Sequence, residues 1–274
     1  MQIFADHFYE KGHSHSVCQD YALSQNDENY AFFVISDGCG SATNSEIGSM
    51  VMAHSLKAAV ELTWYSDSPF PMDIAKRGKV QKETLDKSNE TRRILELNPE
   101  SLYATLMLGF YEKKTNEFAM AAWGDGTFVV LYEDGDYDVS TIEYQNNAPF
   151  YMAYDKTPQL INSYVKNCGG NSTITHTGYT NKHNHLWSGS RHIKKPSAIV
   201  LKPRRSKEVK GIFGFSDGID SFKDQNTNII KKCLDFKNTN GTFIERRAKR
   251  VLKGKAFEDD LPFDDFSFAG IIKS

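Results

Sequence analysis

The tripeptide Ser-Asp-Gly occurs at residues 36–38 and again at 216–218, and each time it closes a hydrophobic run, FFVIS before Asp37 and IFGFS before Asp217. An aspartate at a strand exit presents its carboxylate at the edge of a sheet, and the glycine after it lets the chain turn sharply. Two further aspartates are placed in a related way. Asp264 stands at the entrance of the terminal apolar run 266–272, and Asp125 sits in the turn WGDGT. Strand ends from separate parts of a sheet can converge on one edge, where gathered carboxylates repel each other unless cations lie between them. Carboxylates and backbone carbonyls, without His or Cys, are ligands for hard cations, which points to Mg²⁺ or Mn²⁺ and away from zinc. Two such ions acidify a water bridging them, and the hydroxide would attack phosphorus in line while the ions stabilise the phosphoryl charge. A lone Asp-Gly is above all a turn signal. It is the conjunction of four that points to phosphoester hydrolysis.

The elements that must position these residues follow from pattern. YAFFVIS (30–36) has strand length and ends at Asp37-Gly38, and a helix is predicted from Asn44, with Ile47, Val51, His54, Ala58 and Leu62 at helical spacing. Residues 67–100 read as a helix plus a connection. The apolar segments between 101 and 144, separated by Gly-Asp-Gly and Glu-Asp-Gly-Asp, read as antiparallel hairpins. EDGDYD (133–138) is a hairpin turn and not a calcium loop, because Val139 falls where glycine is needed and Gln145 where the bidentate glutamate belongs. Residues 153–195 show little periodicity and are expected to be irregular. GIFGFS (211–216) and 266–272 are strands, and Thr242 with Glu245 makes a capping box for a basic helix through Lys253, closed by Gly254.

Composition excludes several classes. With 274 residues, 39 % of them hydrophobic, the chain can fill a core, and a net charge of −2 gives no general pull toward nucleic acid or an anionic membrane. Cys18, Cys39, Cys168 and Cys233 are scattered without a CxxC pair, which suits a reducing cytoplasm. The N-terminus lacks the apolar core of a signal peptide, and no stretch approaches the roughly 20 apolar residues that span a bilayer. The Asn-x-Ser/Thr triplets at Asn89, Asn171 and Asn240 are read as chance occurrences. His13, His176, His183, His185 and His192 have no ligand spacing, and Arg246, Arg247, Lys249 and Arg250 read as a solvated helix face.

In chain order, GHSHSVCQDYA (12–22), FFVISDGCGS (32–41), AAWGDGTFVVL (121–131), GIFGFSDGID (211–220) and FDDFSFAGII (263–272) resemble the metal-dependent protein phosphatases of type 2C, in the form of a divergent bacterial branch. The resemblance spans nearly the whole chain. It implies an α+β fold, a sandwich of two antiparallel β-sheets flanked by helices, as one catalytic domain over 1–274 with a flap-like segment near 153–195 facing the substrate. It further implies two Mn²⁺ or Mg²⁺ ions, with Asp37 bridging both, the Gly38 carbonyl binding one, and Asp217 and Asp264 completing the other site. Asp20 matches the acidic residue near the metal-bound waters. Asp125 matches a carboxylate that in some members holds a third, weaker ion. His15 stands where members often carry a phosphate-binding Arg, and is a phosphate ligand or a structural histidine. Gln19 replaces the usual Glu, Cys39 a His thought to protonate the leaving group, and Asp265 an Asn; Asp265 is read as a neighbour of the site.

The function implied is serine/threonine protein phosphatase activity on a phosphoprotein, the product of a cognate kinase, by a cytoplasmic monomer without nucleic-acid or membrane partners. Gln19, His15 and Cys39 keep open a phosphoprotein-binding regulatory module of weak turnover, and the same metals would serve a hydrolase of small phosphoesters or nucleotides.

Overall fold

Strand β3 (Tyr30–Asp37) shows why so long an apolar run is a strand. Successive side chains leave a strand on opposite faces. Ala31, Phe33 and Ile35 enter one buried cluster with Met107, Phe128, Val130, Ile212 and Ile271, while Tyr30, Phe32 and Val34 enter another with Met52, Leu56, Val60, Leu106 and Phe110. A strand covered on both sides has no polar face to alternate with.

The computed structural model describes residues 2–66, 74–182, 184–194, 198–204, 206–222, 226–253 and 262–274. Among these, twelve strands form two antiparallel sheets. The remaining strands are β1 (Ile3–Glu10), β2 (Asp20–Asn26), β4 (Leu106–Glu112), β5 (Glu117–Trp123), β6 (Gly126–Tyr132), β7 (Tyr137–Tyr144), β8 (Ser172–Tyr179), β9 (His185–Ile193), β10 (Ile199–Leu201), β11 (Val209–Phe215) and β12 (Phe266–Lys273). One sheet has the order β1-β12-β11-β6-β7-β8-β9 and the other β10-β5-β4-β3-β2. Helices α1 (Ser45–Ser66) and α2 (Ile74–Ile94) belong to the outer face of the five-stranded sheet, and α4 (Asn226–Leu234) and α5 (Phe243–Leu252) cover the other sheet, with α3 (Pro158–Cys168) between β7 and β8. The core between the sheets is the first cluster above. A third cluster packs Phe213, Phe215, Phe266 and Phe268 against Ile229, Ile230, Phe243 and Val251 of α4 and α5. Each such side chain, fully buried, contributes roughly 1.5–3 kcal/mol before entropy is subtracted. No helix among the described residues is long and apolar enough to cross a membrane.

The strands from 101 to 144 lie where the turn residues put them, and Asp134 and Asp136 of the 133–138 turn both pair with the Lys207 ammonium, so a cation of the chain itself sits there. Three expectations need correction. Helix α1 forms, and Val51 is buried, but Ile47, His54 and Leu62 are exposed, and the buried face is Gly48, Ser49, Val51, Met52, Ala53, Leu56, Ala59 and Val60. Small residues bring the helix close to its neighbours, and hydropathy does not register them. Helix α5 is not capped by Thr242, whose side chain makes no capping hydrogen bond to the backbone; Asp6 of β1 accepts from Ile244 N at 2.7 Å and Glu245 N at 3.2 Å. That cap comes from the far end of the chain. Finally, the described residues of 153–195 include α3 and the paired strands β8 and β9; β9 is an edge strand exposed on nearly its whole length, so neither of its faces is selected to be apolar. Gly254 and His183 lie outside the described residues.

Candidate functional site

The strand ends bring the acidic residues together. Asp20 opens β2 directly opposite Asp37 at the end of β3. The Asp37 N–H donates to Thr105 Oγ1 at 3.1 Å and its carbonyl accepts from Thr105 N at 2.8 Å, while Gly38 N–H donates to the Gln19 carbonyl at 3.1 Å. The second aspartate, Asp217, follows β11 and opens a 3-10 turn, Asp217–Ser221. Both glycines are required by close backbone approach. A Cβ on Gly38 would lie 2.6 Å from the Ser45 carbonyl oxygen, and one on Gly218 would lie 1.8 Å from that of Asp265.

Hydroxyls tie the pieces to each other. Ser216 Oγ donates to Asp20 Oδ2 at 2.7 Å and itself accepts from Ser267 N at 2.9 Å, linking β2, β11 and β12. Asp264 N–H donates to Ser221 Oγ at 3.3 Å, so the entrance of the last strand is tied to the 3-10 turn. Asp125 occupies a turn whose flanking glycines, Gly124 and Gly126, have φ of 115° and 129°, values that favour glycine. Ser216, Ser221 and Thr105 were not singled out in the sequence; a hydroxyl that orients a carboxylate has no signature of its own.

Asp20 and Asp125 are buried, while Asp37, Asp217 and Asp264 are partly exposed, and Asp125, Asp217 and Asp264 line a cleft. Loss of solvent is the largest influence on each of the first four, and it favours the neutral acid. For Asp37 the neighbouring charges of Asp217, Asp20, Asp125 and Asp264 add to this, and its carboxyl is held well above the ordinary range. Burial with the charges of Asp217 and Asp265 pushes Asp20 up to about 7 against the hydrogen bonds of Ser267 and Ser216, and burial with Asp217 and Asp220 pushes Asp125 up to about 8. Asp217 rises to about 6, by burial and the charges of Asp264 and Asp220, although a hydrogen bond from the Asp37 carboxyl offsets part of the rise. Five carboxylates from five separate stretches of chain therefore face one another with mutual repulsion. Hard oxygen donors in that density fit Mg²⁺ or Mn²⁺.

A sequence profile for the family described as Protein phosphatase 2C matches residues 9–253. This chain belongs to the protein phosphatase 2C family. Solved structures of bacterial members share its fold: the Staphylococcus aureus serine/threonine phosphatase Stp1 (15 % identity, TM-score 0.57, covering 100 % of this chain and 96 % of that one), a bacterial serine phosphatase (15 %, 0.55, 100 % and 98 %), and the Mycobacterium tuberculosis serine/threonine phosphatase PstP/Ppp (13 %, 0.51, 98 % and 98 %). No curated protein matches the chain.

Where this member departs from the protein phosphatase 2C pattern, the geometry gives each departure a place. Asp265 accepts from Gly12 N at 2.7 Å on Oδ1 and from Gln19 N at 2.6 Å on Oδ2, so both oxygens are engaged in holding the 12–19 loop. His15 Nδ1 approaches Asp265 Oδ2 at 3.0 Å and Asp264 Oδ1 at 3.5 Å, off the line that a hydrogen bond needs. These three residues are the set of metal-capable side chains whose ligand atoms converge within 4.8 Å among the described residues. The His15 nitrogen next to the acid cluster therefore faces carboxylates. Gln19 acts through its backbone, joining Asp265 to Gly38. Cys39 lies half-buried, Sγ 3.2 Å from Ser41 Oγ; burial opposes its ionisation, but hydrogen bonds from Ser41 and Tyr151 outweigh it and set the thiol below its ordinary value.

Proposed function

We propose that this chain hydrolyses phosphoserine and phosphothreonine in proteins with two Mg²⁺ or Mn²⁺ ions held by Asp37, the Gly38 carbonyl, Asp217 and Asp264, and a weaker third ion at Asp125. The observation that carries this reading is the crowding of Asp20, Asp37, Asp125, Asp217 and Asp264 at one end of the sandwich, an arrangement that repels itself unless cations enter it. Bound ions would supply a water nucleophile at neutral pH and neutralise charge on the transferring phosphoryl group. The chain supplies orientation. The Thr105 pair of hydrogen bonds fixes the backbone of Asp37, and the relay from Ser267 N through Ser216 Oγ fixes the Asp20 carboxylate. Asp20 is then placed to take the proton that the attacking water loses. His15, beside Asp264, is our candidate contact for the phosphate oxygens.

The substrates would be phosphoproteins made by a cognate serine/threonine kinase, with the chain acting as a monomer in the cytoplasm, a setting consistent with four free cysteines. Release of phosphate from a phosphothreonine peptide tests the reading. It should proceed with Mn²⁺ or Mg²⁺ and stop with EDTA; metal binding without any release would reject it.

A further inference from the structure

The cleft that begins at the acid cluster continues well past it. With a volume of about 920 Å³, it runs from Asp125, Asp217 and Asp264 across the ends of β6 to β9 and reaches His192 and Lys194 at the open edge of the seven-stranded sheet. Its length follows from the register: Gly126 faces Ile142, Ile142 faces Ile174, and Ile174 faces Arg191. Three strand spacings of ~4.8 Å put the end of β9 about 14 Å from the Asp125 turn. An extended peptide advances ~3.4 Å per residue, so if its phosphorylated residue lies at the acid cluster, its fourth neighbour lies at His192 and Lys194.

The lining selects among occupants. The amides of Asn147 and of Gln145 and Asn171, the last two bonded to each other at 2.9 Å, offer donors and acceptors to a peptide backbone, and among the described residues Tyr144, the one phenol or indole ring lining the cleft, is buried, so these residues offer no phenol or indole face to a nucleobase. Glu143, Thr173 and His192 lie side by side across β7, β8 and β9, and Thr173 Oγ1 meets His192 Nδ1 at 3.0 Å, which fixes the imidazole. Lys194 is exposed, and among the described residues no ion pair engages it. The far end of the cleft therefore carries the Lys194 ammonium beside the His192 imidazole, and Glu143, two strands nearer the acid cluster, repels anions from the middle.

We infer that this cleft reads substrate sequence, taking an extended phosphopeptide that carries a carboxylate side chain about four residues from the phosphorylated one, against His192 and Lys194. The inference rests on the phosphatase reading and narrows its substrate class.

The test uses the full chain with Mn²⁺ and two pairs of phosphothreonine peptides, differing only in Glu or Lys at the fourth position before, or the fourth position after, the phosphothreonine. In the pair that matches the direction of binding, kcat/KM should favour Glu about threefold, the scale of an exposed charge contact. Lys194→Glu should invert that preference, and His192→Ala should reduce it without inverting it. Equal turnover of Glu and Lys peptides in both pairs, or a preference that survives Lys194→Glu, would overturn the inference and leave the phosphatase reading intact. No release from any peptide would remove both.

Discussion

The two Ser-Asp-Gly strand exits share a sequence and differ in what surrounds them. At the first, Asp37 faces Asp20 across a strand pair, Thr105 locks its backbone, and the Ser36 hydroxyl is buried without a hydrogen-bond partner. At the second, Asp217 opens a 3-10 turn and the Ser216 hydroxyl is engaged twice, by Asp20 and by Ser267 N. The glycines have one requirement in common, no room for a Cβ, but the obstacle is the start of α1 in one case and the entrance of β12 in the other. The repeated tripeptide thus encodes a carboxylate position and a close backbone passage. Its serine does work at one exit only.

The largest effect should come from replacing the carboxylates. Asp37→Asn and Asp217→Asn should each lower metal-dependent phosphate release by at least about 10³-fold, the loss of several kcal/mol of transition-state stabilisation. They should part company in EDTA. Asp37 meets four neighbouring aspartate charges, so Asp37→Asn should raise metal-free stability in urea titrations more than Asp217→Asn, whose own charge is eased by the Asp37 carboxyl. A smaller effect is expected at the glycines. Gly218→Ala and Gly38→Ala should each cost about 1–3 kcal/mol by overpacking, the former more because its Cβ would meet backbone at 1.8 Å against 2.6 Å. Smallest are the serines: Ser216→Ala should cost about 1–2 kcal/mol through its bond to Asp20, and Ser36→Ala less than about 0.5 kcal/mol, by the same titrations.

Much of this site was legible in the sequence because it is built from strand ends, and strand ends are marked by apolar runs that stop at Asp-Gly. Asp37 and Asp217 are marked that way, Asp125 by its Gly-Asp-Gly turn, and Asp264 by its place just before an apolar run. Asp20 came only through resemblance, since nothing in CQDYA marks a strand entrance. Contacts between distant segments were not legible: Asp6 capping α5, Ser216 reaching Asp20, and Asp265 gathering Gly12 and Gln19 each depend on tertiary folding that no local spacing reports. The buried face of α1 is only partly legible because it mixes the small residues Gly48, Ser49, Ala53 and Ala59 with Val51, Met52, Leu56 and Val60. The paired strands β8 and β9 were missed because an exposed edge strand has no alternation to show.

The proposed completion by cations of an acid cluster that is unstable alone is open to measurement by thermal unfolding from pH 5 to 8.5, with EDTA or with Mn²⁺. Unfolded aspartates titrate near the ordinary value of 3.8, whereas Asp217, Asp20 and Asp125 are pushed to about 6, about 7 and about 8, with Asp37 also raised. The folded state binds more protons across that window, so its stability contribution is complete below about pH 4 and is lost as pH rises through 6 to 8. Metal-free Tm should therefore fall as pH rises, and the increase in Tm given by Mn²⁺, which binds the ionised carboxylates, should grow. A metal-free Tm that is flat or rising over this range, with no Mn²⁺-dependent increase at pH 8, would contradict the account.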